Sequence, residues 1–179
     1  FAAFPKTYAV MFSALYLPLI VLLFALILRA VSFEFRNKID HPAWRGLWDT
    51  IHFIVNLAAA VLLGVAFANL FKGIPVDAQG VFHGNLLTFF NLYGLAGGVF
   101  FLAMFALHGA LWLCFRSKDA LQERALSAVL VLWPIVLVLL IAFLGLTAFY
   151  TNTYANFLHH PFLLFIPLAA LVGLFGIKK

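Results

Sequence analysis

Apolar residues dominate the chain in long unbroken runs. Five stretches contain no Asp, Glu, Lys or Arg: 8–28, 51–71, 86–115, 125–149 and 157–177. About 20 apolar residues at 1.5 Å per residue cross the hydrocarbon layer of a bilayer, and each run reaches that length. Barrel strands would instead show alternation over about 10 residues, and none is present. The pattern predicts an all-α polytopic membrane bundle with about five spans, at 8–28, 51–71, 92–115, 125–149 and 157–177. The whole of 1–179 reads as a single membrane domain.

Local signals refine those spans. Pro18, Pro134 and Pro167 fall inside the first, fourth and fifth, and each is expected to bend its helix by removing a backbone hydrogen bond. The 86–115 run is too long for one straight span, so Asn91 is read as an N-cap. That leaves a short interfacial element over 86–90 and a span from residue 92. Gly94 and Gly98 stand at GxxxG spacing, with Gly97, Ala106, Gly109 and Ala110 extending a small-residue surface for another helix. Asp40 ahead of Pro42 reads as a second helix start, and Trp44 and Trp48, four apart, share a face of the helix that follows.

Composition agrees with the pattern. The chain is 66% hydrophobic and 9% charged, with a mean hydropathy of +1.11; a soluble domain carries about 25% charged residues. Cys114 is the only cysteine, which excludes a disulfide scaffold. The net charge of +5 comes without a basic stripe, so nucleic acid is not the expected partner. The lipid bilayer is. Basic residues sort by side: Lys6 and Lys72 lie on one, and the other nine, from Arg29 to Lys179, lie on the other. By the positive-inside rule the first residues face outward and the last face the cytoplasm. The missing initiator Met and the final Lys178–Lys179 suggest a piece of a longer protein.

Candidate chemistry is sparse. The connection 29–50 holds seven charges, Arg29, Glu34, Arg36, Lys38, Asp40, Arg45 and Asp49. His108 lies within the third span and His52 at the start of the second. Their depths differ by about 8 Å along the axis, a poor geometry for two ligands of one haem. His108 is read as a hydrogen-bonded packing residue, with a proton relay or a quinone contact as the alternative. His159 and His160 are adjacent and point apart on an extended segment, so they do not chelate readily, and His83 carries no motif. No Asp or Glu lies inside a span, which argues against an autonomous proton-driven carrier. Nucleotide loops and catalytic triads are missing too. Catalytic residues, bound cofactor and metal are therefore not expected in this chain.

One stretch of sequence is distinctive. Arg29-Ala-Val-Ser-Phe-Glu34-Phe-Arg36-Asn-Lys38 is followed by Trp44-Arg-Gly-Leu-Trp48-Asp49, then Gly64-Val-Ala-Phe-Ala-Asn69-Leu-Phe-Lys-Gly-Ile-Pro75, and then Phe90-Asn91-Leu-Tyr-Gly94-Leu95. In order and spacing this resembles subunit II of cytochrome bd quinol oxidases. The resemblance implies a complex in the bacterial or archaeal cytoplasmic membrane that oxidises quinol at the outer face, reduces O2 to water and takes protons from the cytoplasm. It also implies that haem b and haem d belong to a partner, subunit I, and that this subunit packs against it, supports it and contributes to a proton route. Arg29 and His108 are the residues to associate with that route; Arg29, Glu34, Arg36, Trp44, Trp48, Asn91, Gly94 and Gly98 mark the family pattern. A secondary transporter fragment or a membrane scaffold is the alternative, favoured by the interrupted helices but lacking inverted-repeat symmetry.

Overall fold

The computed structural model describes residues 2–77, 79–155 and 161–176. The described residues form α-helices joined by short loops and two 3-10 turns. In chain order the helices are α1 (Pro5–Ala14), α2 (Tyr16–Arg36), α3 (Pro42–Lys72), α4 (Leu92–Arg116), α5 (Asp119–Tyr150) and α6 (Phe165–Gly176). The four from α2 to α5 are long and apolar enough to cross a membrane. They pack as sequence neighbours, α2 on α3, α3 on α4 and α4 on α5. This is a membrane protein.

The first predicted span is divided. The helix breaks at Leu15, three residues before Pro18. The cause lies in the proline: its missing N–H would have bonded to the Ala14 carbonyl, and its ring crowds that same group. The chain resolves the conflict by ending α1 at Ala14 and restarting. α2 then runs on to Arg36, so Arg29 is not the first residue of a loop. It sits seven residues inside the helix, about 10 Å from its end. The polar connection shrinks to residues 37–41.

Beyond it, α3 begins at Pro42, the expected helix start, and runs on through the 51–71 span, but Asp40 is not its cap. The His41 imidazole accepts the Ala43 N–H at 3.2 Å, while the Asp40 carboxylate pairs with Arg45 at 2.8 Å. Proline needs no acceptor for an N–H in the first turn, which is why the helix can open there.

Asn91 caps α4 as expected, accepting the Gly94 N–H at 3.0 Å. The element ahead of it is the 3-10 turn Leu86–Phe89, closed by reciprocal bonds between Asn85 and Thr88. Of the fourth span, Asp119–Tyr150 is helical with Pro134 inside. The turn before it places Asp119 at φ 57, a left-handed value that Asp tolerates better than most residues. In the fifth predicted span, residues 157–160 and 177 fall outside the described residues, as do His159 and His160. The described part is a 3-10 turn, Pro161–Leu164, and the 12-residue α6, about 18 Å long. Pro167 stands in the first turn of α6, where it breaks nothing.

The α3–α4 seam is the closest helix contact. A methyl group on Gly97 would lie 2.6 Å from the Ala68 Cβ and 2.8 Å from the Gly64 carbonyl oxygen; one on Gly64 would collide with the Gly97 and Gly98 backbone. Three glycines therefore bring two backbones together, as small residues do in membranes. Gly109 is not part of this surface, since nothing lies within 4 Å of its open side.

Candidate functional site

Polar side chains collect where α2 and α3 run antiparallel. Arg36 holds Asp49 through two bonds, Nε to Oδ1 at 2.5 Å and the other to Oδ2 at 3.1 Å. A guanidinium matches a carboxylate best in this forked arrangement. One turn further in, Ser32 is 2% exposed and donates to the Arg29 carbonyl at 2.7 Å. Its single hydrogen is thereby used. The 2.7 Å contact between Ser32 Oγ and His52 Nδ1 then requires the proton on that nitrogen, which assigns the tautomer. The His52 ring meets Phe33 edge-on at 4.7 Å, and its carbonyl accepts from Asn56 at 2.6 Å.

Aromatic residues brace the end of the pair nearest the 37–41 connection. Trp44 donates its indole N–H to the Phe35 carbonyl at 2.7 Å and meets Trp48 at 5.8 Å, and Trp48 packs on Phe35 at 5.2 Å. The two indoles tie α2 to α3 rather than standing free on a loop. Among the described residues the buried Trp48 Nε1 has no partner. Glu34 is exposed.

Arg29 lies above this cluster on the rim of a cavity of about 590 Å³ between α2, α3 and α4. Leu26, Phe53, Leu57 and Phe105 supply apolar walls, and Asn56 is the other polar lining residue. Among the described residues Arg29 makes no ion pair. His108 is elsewhere. It is exposed on the side of α4 that faces α5 and α6, in an apolar cavity of about 460 Å³ with Met104, Leu140 and Pro167. The expectation of a hydrogen-bonded packing histidine does not describe it, because the walls around it are hydrocarbon. His52 faces α2 and His108 faces α5, so the two imidazoles address different spaces. Among the described residues no group of three His, Cys, Asp or Glu side chains converges on a point, and the histidines do not fit an axial haem pair.

The opposite end of the bundle holds a buried node that the spacing of residues did not disclose. Asn69, 5% exposed, donates to the Val65 and Phe89 carbonyls at 2.8 Å each. Its own oxygen accepts from Asn91 at 2.7 Å. Gly94 has no side chain because a Cβ there would strike the Phe89 carbonyl. Tyr93 is fully buried, stacks on Phe143 at 5.0 Å and on Tyr150 at 5.5 Å, and its hydroxyl lies 2.9 Å from Thr147 Oγ1. In the loop beyond α3, Asp77 accepts from His83 at 2.7 Å and from the Gln79 and Val81 N–H groups. The His83 bond above all, with the Val81 amide next, holds the Asp77 carboxyl below its ordinary range. His83 is thus a loop-closing residue.

Comparison with known proteins bears on all of these residues together. The family model described as "Cytochrome bd terminal oxidase subunit II" matches residues 1–179. A protein of Bacillus subtilis (strain 168) named "Cytochrome bd ubiquinol oxidase subunit 2" is 37% identical over 156 residues, 87% of this chain and 46% of that protein. A Haemophilus influenzae protein named "Probable cytochrome oxidase subunit 2" is 42% identical over 129 residues, 70% of this chain and 34% of its own length. The "Cytochrome bd-I ubiquinol oxidase subunit 2" of Escherichia coli (strain K12) is 36% identical over 128 residues, covering 69% and 34%. The chain spans less than half the length of these relatives.

Proposed function

The chain belongs to the cytochrome bd terminal oxidase subunit II family, and from that premise we propose that it serves as subunit II of a quinol:O2 oxidoreductase in the cytoplasmic membrane. In this reading it packs against the haem-bearing subunit I and contributes to a proton route from the cytoplasm. Haem b and haem d belong to that partner, quinol is the substrate of the complex, and this chain alone is not catalytic. Its first residues face outward and its last face the cytoplasm.

The observation that carries the proton route is Arg29. A guanidinium stays charged in any protein environment, and a cation at membrane depth calls for a counter-charge or for water. Arg29, exposed on α2, has no carboxylate partner among the described residues, and apart from Asn56 the cavity it borders is apolar, walled by Leu26, Phe53 and Phe105. An acidic side chain brought into that cavity from outside the described residues would be held ionised by Arg29. Ser32 and His52 lie beside it on the cytoplasmic side, hydroxyl against imidazole at 2.7 Å, and both groups can donate and accept protons.

Arg29→Lys tests this reading in the assembled complex. Lysine keeps the charge but replaces a planar fork with a point. The expected result is lowered quinol-oxidase turnover, with haem b and d absorption bands and co-purification of this polypeptide retained. Wild-type turnover would return Arg29 to the role of a cation reaching for the headgroups.

A further inference from the structure

The ends of α3 and α5 meet on the face opposite the Arg36–Asp49 pair and leave a crevice of about 440 Å³ between residues 71–73 and 148–153. Lys72 is the last residue of α3, where the helix dipole favours a cation. Its ammonium sits 5.4 Å from the centroid of the Tyr150 ring. That contact positions the charge without neutralising it. Asp77, the one carboxylate on this side among the described residues, is already engaged by His83 and by two backbone amides. Thr151 donates inward to the Thr147 carbonyl at 2.8 Å, which fixes the turn and turns Asn152, exposed, outward beside the lysine. The crevice is therefore polar and cationic, with an amide donor at hand.

Its rim is the opposite in character. Phe71 is 58% exposed and Phe149 88% exposed, each one residue inside the helix end and hence at the top of the apolar belt. A ligand that fits both parts has an anionic head and hydrocarbon tails. We infer that this crevice is a headgroup site for an anionic phospholipid, the phosphodiester held by Lys72 and Asn152 and the acyl chains lying along Phe71 and Phe149. Free phosphate would satisfy the crevice but not the rim, and a zwitterionic lipid would bring its own cation to the lysine.

Native mass spectrometry of the intact, delipidated complex, titrated with phosphatidylglycerol, tests the assignment. One phosphatidylglycerol is expected to bind wild type more tightly than phosphatidylcholine does. Lys72→Gln is expected to weaken that site about fivefold, the usual weight of one basic residue against an anionic lipid; Lys72→Arg retains it. Millimolar inorganic phosphate should not displace the lipid. Should Lys72→Gln fail to assemble, Asn152→Asp, which sets a carboxylate in the crevice without touching α3, is expected to lower phosphatidylglycerol binding. Unchanged binding in these variants, equal binding of phosphatidylcholine, or displacement by phosphate alone would each overturn the assignment.

Discussion

Gly97→Ala adds one methyl group to the tightest part of the bundle. The new carbon would stand 2.6 Å from the Ala68 Cβ and 2.8 Å from the Gly64 carbonyl oxygen, against a normal carbon–carbon separation of about 3.5–4.0 Å. Neither neighbour is a flexible side-chain end that can swing aside. Relief requires α3 and α4 to separate by about 1 Å along the seam, with loss of contacts on both sides. Overpacking of this kind costs about 1–3 kcal/mol. Alanine's better helix propensity offsets about 0.5–1 kcal/mol of that. Gly109→Ala provides the reference, because it gains the same propensity and meets nothing within 4 Å. The two variants should therefore differ by about 1–3 kcal/mol, Gly97→Ala being the less stable. Thermal unfolding of the complex in detergent reads that difference. Adding Ala68→Gly removes the nearest colliding carbon and should recover part of it, a coupling seen only between groups in contact. Equal stability of Gly97→Ala and Gly109→Ala would refute the close approach of the two helices.

Other outcomes follow from the same structure. Cysteines placed at 37–41 or at Ser117 should react with membrane-impermeant reagents only from the cytoplasm, and one at Gln79 only from outside; the reverse pattern would invert the orientation. His108→Gln should leave the haem bands of the complex unchanged, because the imidazole faces hydrocarbon walls; loss of a band in an assembled complex would make it a ligand. The Asp77 carboxyl is held below its ordinary range by His83 and the Val81 amide, so its contribution to loop order is present above that range. It is lost as pH falls through the lowered value. The protection factor of the Val81 amide, its exchange rate corrected for the intrinsic pH dependence, should fall on acidification in wild type and lose that dependence in Asp77→Asn.

The four long helices are legible because a bilayer imposes a length on apolar runs. Asn91 was legible as well, since a cap is a local device whose donor lies three residues away. Counting charges fails where a helix continues past its first charged residue. The first charge after the 8–28 run, Arg29, reads as the end of a span, yet the ladder of backbone bonds runs on to Arg36. Pro18 announced a bend, but its effect falls on the carbonyl four residues earlier. The seam was read from one side only. Gly94 and Gly98 mark the α4 side, while Gly64 and Ala68, also spaced by four, carry the matching half on α3 against Gly97 and Gly98. Ser32 with His52, and Asn69 with Phe89, each lie 20 residues apart on different elements. No periodicity marks such pairs; only the antiparallel register of the helices brings them together.

The asparagine node gives the α3–α4 hairpin an unusual kind of independence. Asn69 and Asn91 fasten the end of α3 to the start of α4 directly, below the loop that connects them in sequence. Continuity of the peptide between residues 76 and 82 is thus not what keeps the two helices in register. The chain could be severed there, or lengthened by a foreign insert, and the halves would still find the same partners through amides and glycines. Cleavage at this loop should therefore yield two polypeptides that migrate apart in denaturant and travel together in mild detergent. In engineering terms, the hairpin is a socket for an epitope or a fluorescent domain.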